Sequence, residues 1–381
     1  MLEKHDKHSK IAKPVLGNFG RHEWAILGTN CTNVQQLADK LIAHFSPIYH
    51  CAYIDSSHAP ISFEGVMPQL SFTDHIQYRE IQYQQPFDAF QLHQVFNDID
   101  MVLVNGNHHT AAQQIVVIDA SKETSLQKRL SQLTNVQLFI IKDAAEIYDW
   151  LNASIPAIDQ IPVLQWEDTE GILACMHKQM QERKAPLYGL VLAGGKSQRM
   201  GTDKGAIEWH GKAQRYFMTD MLQSVCEKVF ISCREDQIEL IENNYTALED
   251  TFTNLGPYGA ILSAFRQQPD AAWLVVACDL PLLESATIDA LIAQRNVAAL
   301  ATTFESPFDG LPEPLITIWE PKAYPVLLSF LAQGYSCPRK VLRNNQVHMI
   351  KANSPEQLMN VNTVEEMEKA QQLIQSKNSI G

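Results

Sequence analysis

A run of glycines and basic residues, LVLAGGKSQRMGTDKG, follows an apolar segment and carries the residue types that bind phosphate. Gly194 and Gly195 come directly after the apolar residues, and Arg199 and Lys204 follow shortly after them. Adjacent glycines let backbone N–H groups approach an anion closely. Arginine and lysine add positive charge, and the arginine fork suits paired contacts with phosphate. We predict a phosphate-binding loop between Leu190 and Gly205, in preference to a turn that merely carries solvated charges.

Asp279 is a second candidate, because it ends the apolar stretch WLVVACD. A carboxylate at the carboxyl end of a central strand is where a hard cation is held beside a triphosphate. An aspartate in this position also serves as a helix N-cap. Taken with the basic loop, the position favours Asp279 as a Mg²⁺ ligand.

Four further polar residues are candidates with open alternatives. Asp250 follows the acidic Glu249, so a surface charge competes with a role in a binding site. Glu313 lies between two prolines, so a rigid turn competes with substrate contact. Asn360 and Asn362 share one face if the backbone is extended, which suits paired hydrogen bonds to a ligand. The TVEE that follows them also indicates a capping box that starts a helix.

Two blocks of alternating strand and helix patterns must position these residues. Strand candidates in the first block are EWAIL, HCAYID, DMVLVNG, QQIVVID and VQLFIIKD, and those in the second are GLVLAGG, KVFISC, WLVVACD and AALATTF. Helical spacing occurs in NVQQLADKLIAHF, AQRYFMTDMLQSVCEK and ESATIDALIAQR. This alternation is typical of parallel sheets covered by helices, so we predict two three-layer α/β domains.

The predicted boundaries divide the chain into four parts. They are a tail over 1–20, a domain over 21–155, a linker with a helix over 156–186 and a second domain over 187–381.

Composition limits the function classes. The formal net charge of −13 argues against broad nucleic-acid binding. Apolar runs fall short of the roughly 18 residues that a membrane span requires. The charged N-terminus is unlike a secretory signal, and seven scattered cysteines indicate reduced, buried thiols without metal-ligand spacing. We therefore expect a cytoplasmic protein with neither nucleic-acid nor membrane partners, and no zinc site.

The second block resembles the molybdenum cofactor guanylyltransferases in six motifs that occur in the family's order. The first motif, LAGGKSQRMGTDK, matches the family's LAGGxSxRMGxDK. The other five follow in order: a Gly-Lys pair, an Asp with a Gly-Pro segment, a strand that ends in Cys-Asp-x-Pro, Glu-Pro-Leu, and Asn-x-Asn-Thr. The resemblance covers 187–373 and implies a Rossmann-like nucleotidyltransferase fold. The nucleotide-binding residues that it implies are Leu192, Ala193, Gly194, Gly195, Lys204, Lys212, Asp250, Gly256 and Pro257.

The same resemblance implies a reaction: GMP is transferred from GTP to molybdopterin, and pyrophosphate is released. Arg199, Lys204 and Asp279 are the implied catalytic residues, with Mg²⁺ on Asp279. The implied acceptor-binding residues are Glu313, Asn360 and Asn362. The first glycine of LAGG favours guanine, because relatives that use CTP typically have LAAG. GPYGAIL in place of the usual GPLAGIL, and the missing Pro-Leu after Lys212, leave open a cytidylyl- or other nucleotidyltransferase with a different phosphorylated acceptor. A non-enzymatic carrier for molybdoenzyme assembly is the third alternative.

The first block resembles the P-loop adapter of molybdopterin-guanine dinucleotide synthesis, but its loop has lost the expected residues. Counted from Gly28, three positions of the P-loop pattern are changed. Asn33 replaces the later glycine, Val34 replaces the lysine and Gln35 replaces the Ser or Thr. Asn105 replaces the glutamate of the second signature. Triphosphate hydrolysis needs the lysine and the hydroxyl. We expect a pseudo-GTPase that acts as a scaffold, delivers the acceptor or contacts molybdoenzyme assembly factors, with an unrelated flavodoxin-like domain as the alternative. The sequence leaves the oligomeric state open.

Overall fold

The computed structural model describes residues 11–57, 68–143, 146–193 and 204–378. The chain divides into two compact units. The first unit is Leu16–Arg183, and the second is Lys184–Gly381 together with Met1–Val15. Among the described helices, none combines the length and apolar character needed to cross a bilayer.

The first unit is built on a six-stranded parallel sheet in the order β2-β5-β1-β6-β7-β8. Its strands are β1 (Glu23–Leu27), β2 (Cys51–Ile54), β5 (Met101–Asn105), β6 (Gln113–Ile118), β7 (Val136–Ile141) and β8 (Val163–Gln165). A separate antiparallel pair is formed by β3 (Leu70–Asp74) and β4 (Arg79–Tyr83). The helices are α1 (Cys31–Phe45), α2 (Ala89–Val95), α3 (Glu123–Gln127), α4 (Asp149–Asn152) and α5 (Thr169–Glu182).

Helix α1 begins where the sequence resembles a phosphate-binding loop. Gly28, with φ of +94°, turns the chain after β1, and a Cβ there would lie 2.2 Å from the carbonyl oxygen of Val117. Asn30 caps the helix, because its side chain accepts a hydrogen bond of 2.9 Å from the backbone N–H of Asn33. One of the amides at this helix N-terminus is therefore already bonded within the chain.

The segment over 156–186, predicted as a linker, is built into the first unit over most of its length. β8 pairs with β7 and extends the sheet. In α5, Met176 is fully buried, and Gln179 accepts a hydrogen bond of 2.9 Å from the indole N–H of Trp24 in β1. The division between the two units falls after Arg183, because the residues before it pack on the first sheet.

The second unit contains a seven-stranded sheet in the order β11-β10-β9-β12-β14-β13-β15. Its strands are β9 (Leu187–Leu192), β10 (Lys228–Cys233), β11 (Ala247–Glu249), β12 (Ala272–Ala277), β13 (Ala301–Glu305), β14 (Pro312–Trp319) and β15 (His348–Ile350). The helices are α6 (Gln214–Gln223), α7 (Pro257–Gln267), α8 (Ser285–Ala293), α9 (Ala323–Ala332), α10 (Pro338–Arg343) and α11 (Val364–Asn378).

Apolar residues cover both faces of this sheet, which confirms the three-layer α/β fold. Along β12, Leu274 and Val276 belong to one buried cluster, whereas Trp273 and Val275 belong to the other. Successive side chains of a strand point to opposite faces, so the two clusters lie on opposite sides of the sheet. The sheet of this unit is mixed, because β14 runs antiparallel to both β12 and β13 while its other strand pairs are parallel.

The order of the strands sets where a ligand is expected. The chain leaves β9 towards β10 and β11 on one side, and it returns to β12 on the other side. The carboxyl ends of β9 and β12 therefore border a topological switch point, where open α/β sheets bind ligands. Leu192 and Ala277 pair at this edge, Ala193 follows Leu192, and Asp279 comes two residues after Ala277.

Candidate nucleotide-binding site

Lys204 lies at the switch point and contacts two segments that are distant in sequence. Its Nζ atom donates hydrogen bonds to the carbonyl oxygen of Val361 at 2.9 Å and to Oδ1 of Asn362 at 2.6 Å. The same atom lies 3.8 Å from Oδ2 of Asp279. Both charged side chains are largely buried, so their attraction is screened less than that of a surface pair. Lys204 thus joins the predicted phosphate loop to the predicted metal ligand and to the Asn-x-Asn segment.

Asp279 is held directly beyond β12, and it does not cap a helix. Its carbonyl oxygen accepts a hydrogen bond of 2.9 Å from the N–H of Val361, whereas α8 begins only at Ser285. Burial raises the pKa of Asp279, Lys204 acts to lower it, and Glu313 acts to raise it. The N-cap alternative is therefore wrong, and the carboxylate lies among groups that control its charge.

Two buried oxygens at this edge are suited to binding a cation. Oδ1 of Asp279 and Oδ1 of Asn360 are both buried, and neither has a hydrogen-bond partner among the residues that the structure describes. Leaving such atoms without a partner is costly. Mg²⁺ is commonly bound through one or two carboxylates together with substrate phosphates, so one carboxylate with an amide oxygen fits this ion. Among the described residues no cluster of three or more His, Cys, Asp or Glu is placed to hold a metal ion.

Asp250 lies on the other side of β9, directly beyond β11. Its Oδ1 accepts a hydrogen bond of 2.7 Å from the hydroxyl of Ser232, a residue of β10 that is only 1% exposed. Burial raises the pKa of Asp250 to about 6, although the Ser232 hydroxyl and the charge of Arg234 act to lower it. The alternative of a freely solvated surface charge is therefore wrong for Asp250.

Glu313 lies in a strand, so the rigid-turn alternative is wrong as well. It is the second residue of β14, and it is 6% exposed. β14 pairs with β12, with Val276 opposite Ile316, and Glu313 lies near enough to Asp279 for its charge to act to raise the Asp279 pKa. Oε2 of Glu313 also accepts a hydrogen bond of 3.1 Å from Nη2 of Arg339.

The Asn-x-Asn segment contributes polar groups to the site and also leads into the capping box of α11. Asn362 binds Lys204, as described above, while the buried amide oxygen of Asn360 has no partner in the described part of the chain. The predicted capping box is confirmed, since Thr363 Oγ1 accepts from the N–H of Glu366 at 3.2 Å and Glu366 Oε2 accepts from the N–H of Thr363 at 3.0 Å. The cap fixes the start of α11 and with it the position of this segment.

Lys212 contacts residues other than this cluster. It forms an ion pair with Asp220, and its Nζ lies 5.4 Å from the ring centroid of Tyr245. The hydrogen bonds to Asp220 and Tyr245 raise the pKa of this exposed lysine. The structure thus places the Lys212 ammonium against α6, and its predicted phosphate contact stays a prediction.

Gly256 and Pro257 start α7 in the way that the sequence suggests. Gly256 has a φ of +56°, which favours glycine, and Pro257 occupies the first helical turn. Gly259 explains the unusual GPYGAIL, because a Cβ there would lie 2.1 Å from the carbonyl oxygen of Phe252. Local packing therefore requires glycine at position 259, where the usual GPLAGIL has alanine.

Leu192 and Ala193 are buried at the end of β9, where the predicted loop begins. Gly194, Gly195 and Arg199, predicted for the same loop, lie outside the described residues. The roles assigned to all these residues stay predictions.

Sequence reasoning missed two residues of this region. Ser232 is the polar residue within the apolar strand KVFISC, and a buried hydroxyl one residue from the carboxyl end of a strand was the available signal. Arg339 lies in the basic segment PRKVLR and contacts both Glu313 and Asp309. The basic character of PRKVLR was the feature of the sequence that indicated a charged partner for acidic residues such as Glu313.

Comparison with known proteins agrees with this arrangement. The family model described as the MobA-like NTP transferase domain matches residues 189–349. A molybdenum cofactor guanylyltransferase from Xanthomonas euvesicatoria is 31% identical over 183 residues, which are 45% of this chain and 92% of the relative. A molybdenum cofactor biosynthesis bifunctional protein from Synechocystis is 36% identical over 184 residues, and the match spans only 53% of that relative and 48% of this chain.

A solved structure is also similar in outline. It is molybdopterin-guanine dinucleotide biosynthesis protein A from Archaeoglobus fulgidus, with 20% identity and a TM-score of 0.44, and the match covers 50% of this chain and 99% of the other. The family model and the sequence relatives, together with the ordered motifs and the geometry at the switch point, place the chain in its family. Through its second unit, the chain belongs to the molybdenum cofactor guanylyltransferases.

Proposed function

We propose that the second unit transfers GMP from GTP to the phosphate of molybdopterin and releases pyrophosphate. The observation that carries the proposal is the group of charged and polar residues at the switch point. The Lys204 ammonium lies 3.8 Å from Oδ2 of Asp279, while Oδ1 of Asp279 and Oδ1 of Asn360 are buried without a partner among the described residues. This edge suits a triphosphate, since its negative charge meets the ammonium and its oxygens complete the coordination of a cation.

The base fits on the β10–β11 side of the same edge. An ionised carboxylate only accepts hydrogen bonds, and guanine offers adjacent N1–H and N2–H donors on one edge, whereas cytosine offers only its amino group. Asp250 is oriented by Ser232 of β10 and lies at the end of β11, so it is suited to read a guanine. This supports GTP over CTP as the donor.

Transfer then consists of an in-line displacement. An oxygen of the acceptor phosphate attacks the α-phosphorus, a new P–O bond forms, and the bond to the β-phosphate oxygen breaks so that pyrophosphate leaves with the electron pair. Lys204 neutralises phosphate charge, and Arg199 would do the same from the loop. Asp279 and Asn360 would hold Mg²⁺, which supplies electrophilic stabilisation of the phosphate oxygens. We place the acceptor on the β14 side, where Glu313 and Arg339 form their pair.

The substrate screen that tests this measures pyrophosphate release with GTP, CTP, ATP and UTP, each with and without molybdopterin. We expect turnover with Mg²⁺, GTP and molybdopterin together, and at least a 10³-fold loss, roughly the size of a lost charge-stabilising group, in Asp279→Asn. Asp289→Asn, which alters an exposed aspartate of α8, is the matched control and should retain activity. Turnover with CTP alone would overturn the base assignment, and turnover without any pterin would indicate another phosphorylated acceptor. A protein that supports molybdoenzyme assembly with Asp279→Asn unchanged would be a carrier instead.

We further propose a cytoplasmic location, because all seven cysteines are free thiols, as expected for a reducing compartment. The first unit is proposed as an adapter that delivers the acceptor or contacts assembly factors. The domain limits proposed from the sequence, 21–155 and 187–381, are compatible with these roles.

A further inference from the structure

A polar cluster lies at the carboxyl edge of the sheet in the first unit. It consists of Cys31, which opens α1, Asp55 beyond β2, Asn105 at the end of β5, and His108 in the turn that follows. We call these four residues the Cys31 cluster. Carboxyl ends of parallel strands are where α/β sheets place reactive groups, and no step of the proposed transfer uses this cluster.

Cys31 has the surroundings of a nucleophilic thiol. The residue is exposed, and its Sγ atom lies 3.4 Å from Nε2 of His108. It is also the first residue of a fifteen-residue helix, and the amide of Asn107 donates to the sulfur at 3.8 Å. The imidazole places a proton acceptor beside the sulfur, and the helix presents the positive end of its dipole to the same residue.

His108 is held in place by its own neighbours. Its backbone N–H donates to the carbonyl oxygen of Asn105 at 3.0 Å, and its Nε2 lies 3.8 Å from Oδ1 of Asp55. Burial acts to raise the pKa of Asp55, but hydrogen bonds from Asn105, Ser56 and Tyr53 hold that pKa below its ordinary value. The carboxylate therefore stays charged beside the imidazole, which supports an imidazolium after it takes a proton.

We propose that Cys31 is a nucleophilic thiol that exchanges with small-molecule disulfides, with His108 as the base. The proton of the thiol passes to Nε2 of His108, and the thiolate attacks one sulfur of the disulfide. A new S–S bond forms to Cys31, the original S–S bond breaks, and the second sulfur leaves as a thiolate that takes up a proton. The disulfide is the oxidant, so the step balances without another reactant. This makes Cys31 a site of reversible modification in the first unit.

Cys337 gives an internal comparison within the same protein. It is also an exposed free cysteine and precedes α10, and its described neighbours include basic side chains and no imidazole contact such as that of Cys31. The two thiols therefore differ in the histidine beside Cys31, in the basic side chains beside Cys337 and in the length of the helix that each one starts. Their relative rates report on the cluster without any substitution.

The experiment treats the whole protein with dithiobis(nitrobenzoate), an aromatic disulfide, at neutral pH and follows each site by mass spectrometry. We expect Cys31 to form its mixed disulfide about tenfold faster than Cys337, the order of effect that an activated thiol shows. His108→Gln should lower the Cys31 rate toward that of Cys337, whereas His109→Gln, whose histidine contacts Ser56, should leave it unchanged.

Equal rates at Cys31 and Cys337 in the unsubstituted protein would overturn the proposal, and so would an unchanged Cys31 rate in a folded His108→Gln variant. Circular dichroism establishes that each variant is folded. Because the readout is a thiol rate, it is independent of guanylyl transfer, and failure of one proposal leaves the other intact.

Discussion

The ammonium of Lys204 lies 3.8 Å from the carboxylate of Asp279, across the edge where β9 and β12 end. Lys204 begins a short helical turn after the predicted phosphate loop, while Asp279 follows a strand in the middle of the unit. Their proximity brings a phosphate-neutralising group and a cation ligand to one place. This pair is the centre of the predictions about activity.

Replacing Lys204 with methionine should lower kcat/KM for GTP by about 10²- to 10³-fold, because a charge aimed at the phosphates is removed while the apolar stem is kept. Steady-state pyrophosphate release measures it. Lys228→Met is the matched control, since that lysine is exposed on β10 with its ammonium over the Tyr188 ring, and we expect activity near that of the unsubstituted protein. An active Lys204→Met variant would remove this lysine from the mechanism.

The decrease in kcat/KM for GTP on the acid side of the pH profile should reflect protonation of Asp250. GTP binding through guanine N–H donors requires the carboxylate, and burial raises the pKa of Asp250 to about 6. We expect kcat/KM for GTP to be level above this pH and to fall about tenfold per unit below it. Ser232→Ala should move the decrease to higher pH, because the Ser232 hydroxyl acts to lower this pKa. A decrease that stays in place in Asp250→Asn would assign it to another group.

The buried Asp250 carboxylate should lower the free energy of unfolding when it is ionised. Because the pKa is higher in the folded protein than in the unfolded chain, the folded state binds more protons between about pH 4 and 6. The free energy of unfolding contributed by Asp250 therefore falls as the pH rises through that window. Asp250→Asn should be more stable than the unsubstituted protein at pH 8 by about 2–3 kcal/mol, with the difference shrinking toward pH 4. Urea denaturation at both pH values measures it, and a constant difference would contradict the linkage.

Gly256→Ala should destabilise the second unit by about 1–3 kcal/mol, because the backbone at φ +56° and ψ −138° suits glycine alone. Open space surrounds the added methyl group, so the effect is one of backbone strain. Gly20→Ala is the control, since its Cβ would meet Val102 at an ordinary 3.5 Å and its φ is outside the positive range. Equal stabilities of the two variants in chemical denaturation would contradict this.

Arg295→Met should lower the free energy of unfolding by about 3–5 kcal/mol, the usual cost of leaving one member of a buried pair uncompensated. Arg295 donates to both carboxylate oxygens of Glu320, at 2.6 and 2.9 Å, and both side chains are nearly inaccessible. Adding Glu320→Gln should recover part of the loss, because the isolated charge is removed. Breaking the exposed Lys178–Glu182 pair with Lys178→Met should cost less than about 0.5 kcal/mol. Thermal and urea unfolding compare the three variants.

The local pattern of the chain was enough to predict most of the scaffold. Apolar runs such as WLVVA and the helical spacing of CTNVQQLADKLIAHF indicate strands and helices, because side-chain periodicity follows backbone geometry. The same pattern placed Asp279 at the end of a central strand. Short polar strands such as β11 and β15, and the β3–β4 pair, lack a strong apolar signal and were not predicted.

The sequence by itself determined the chemistry that is available, namely a basic glycine loop, a carboxylate at a strand end and a capped Asn-x-Asn segment. Only the tertiary structure decided which of these groups meet. The pairing of β14 with β12 brings Glu313 near enough to Asp279 to act on its pKa, and Ser232 holds Asp250 across two neighbouring strands. Such contacts depend on strand order and register, which are fixed by packing of the whole sheet and not by any local stretch of sequence.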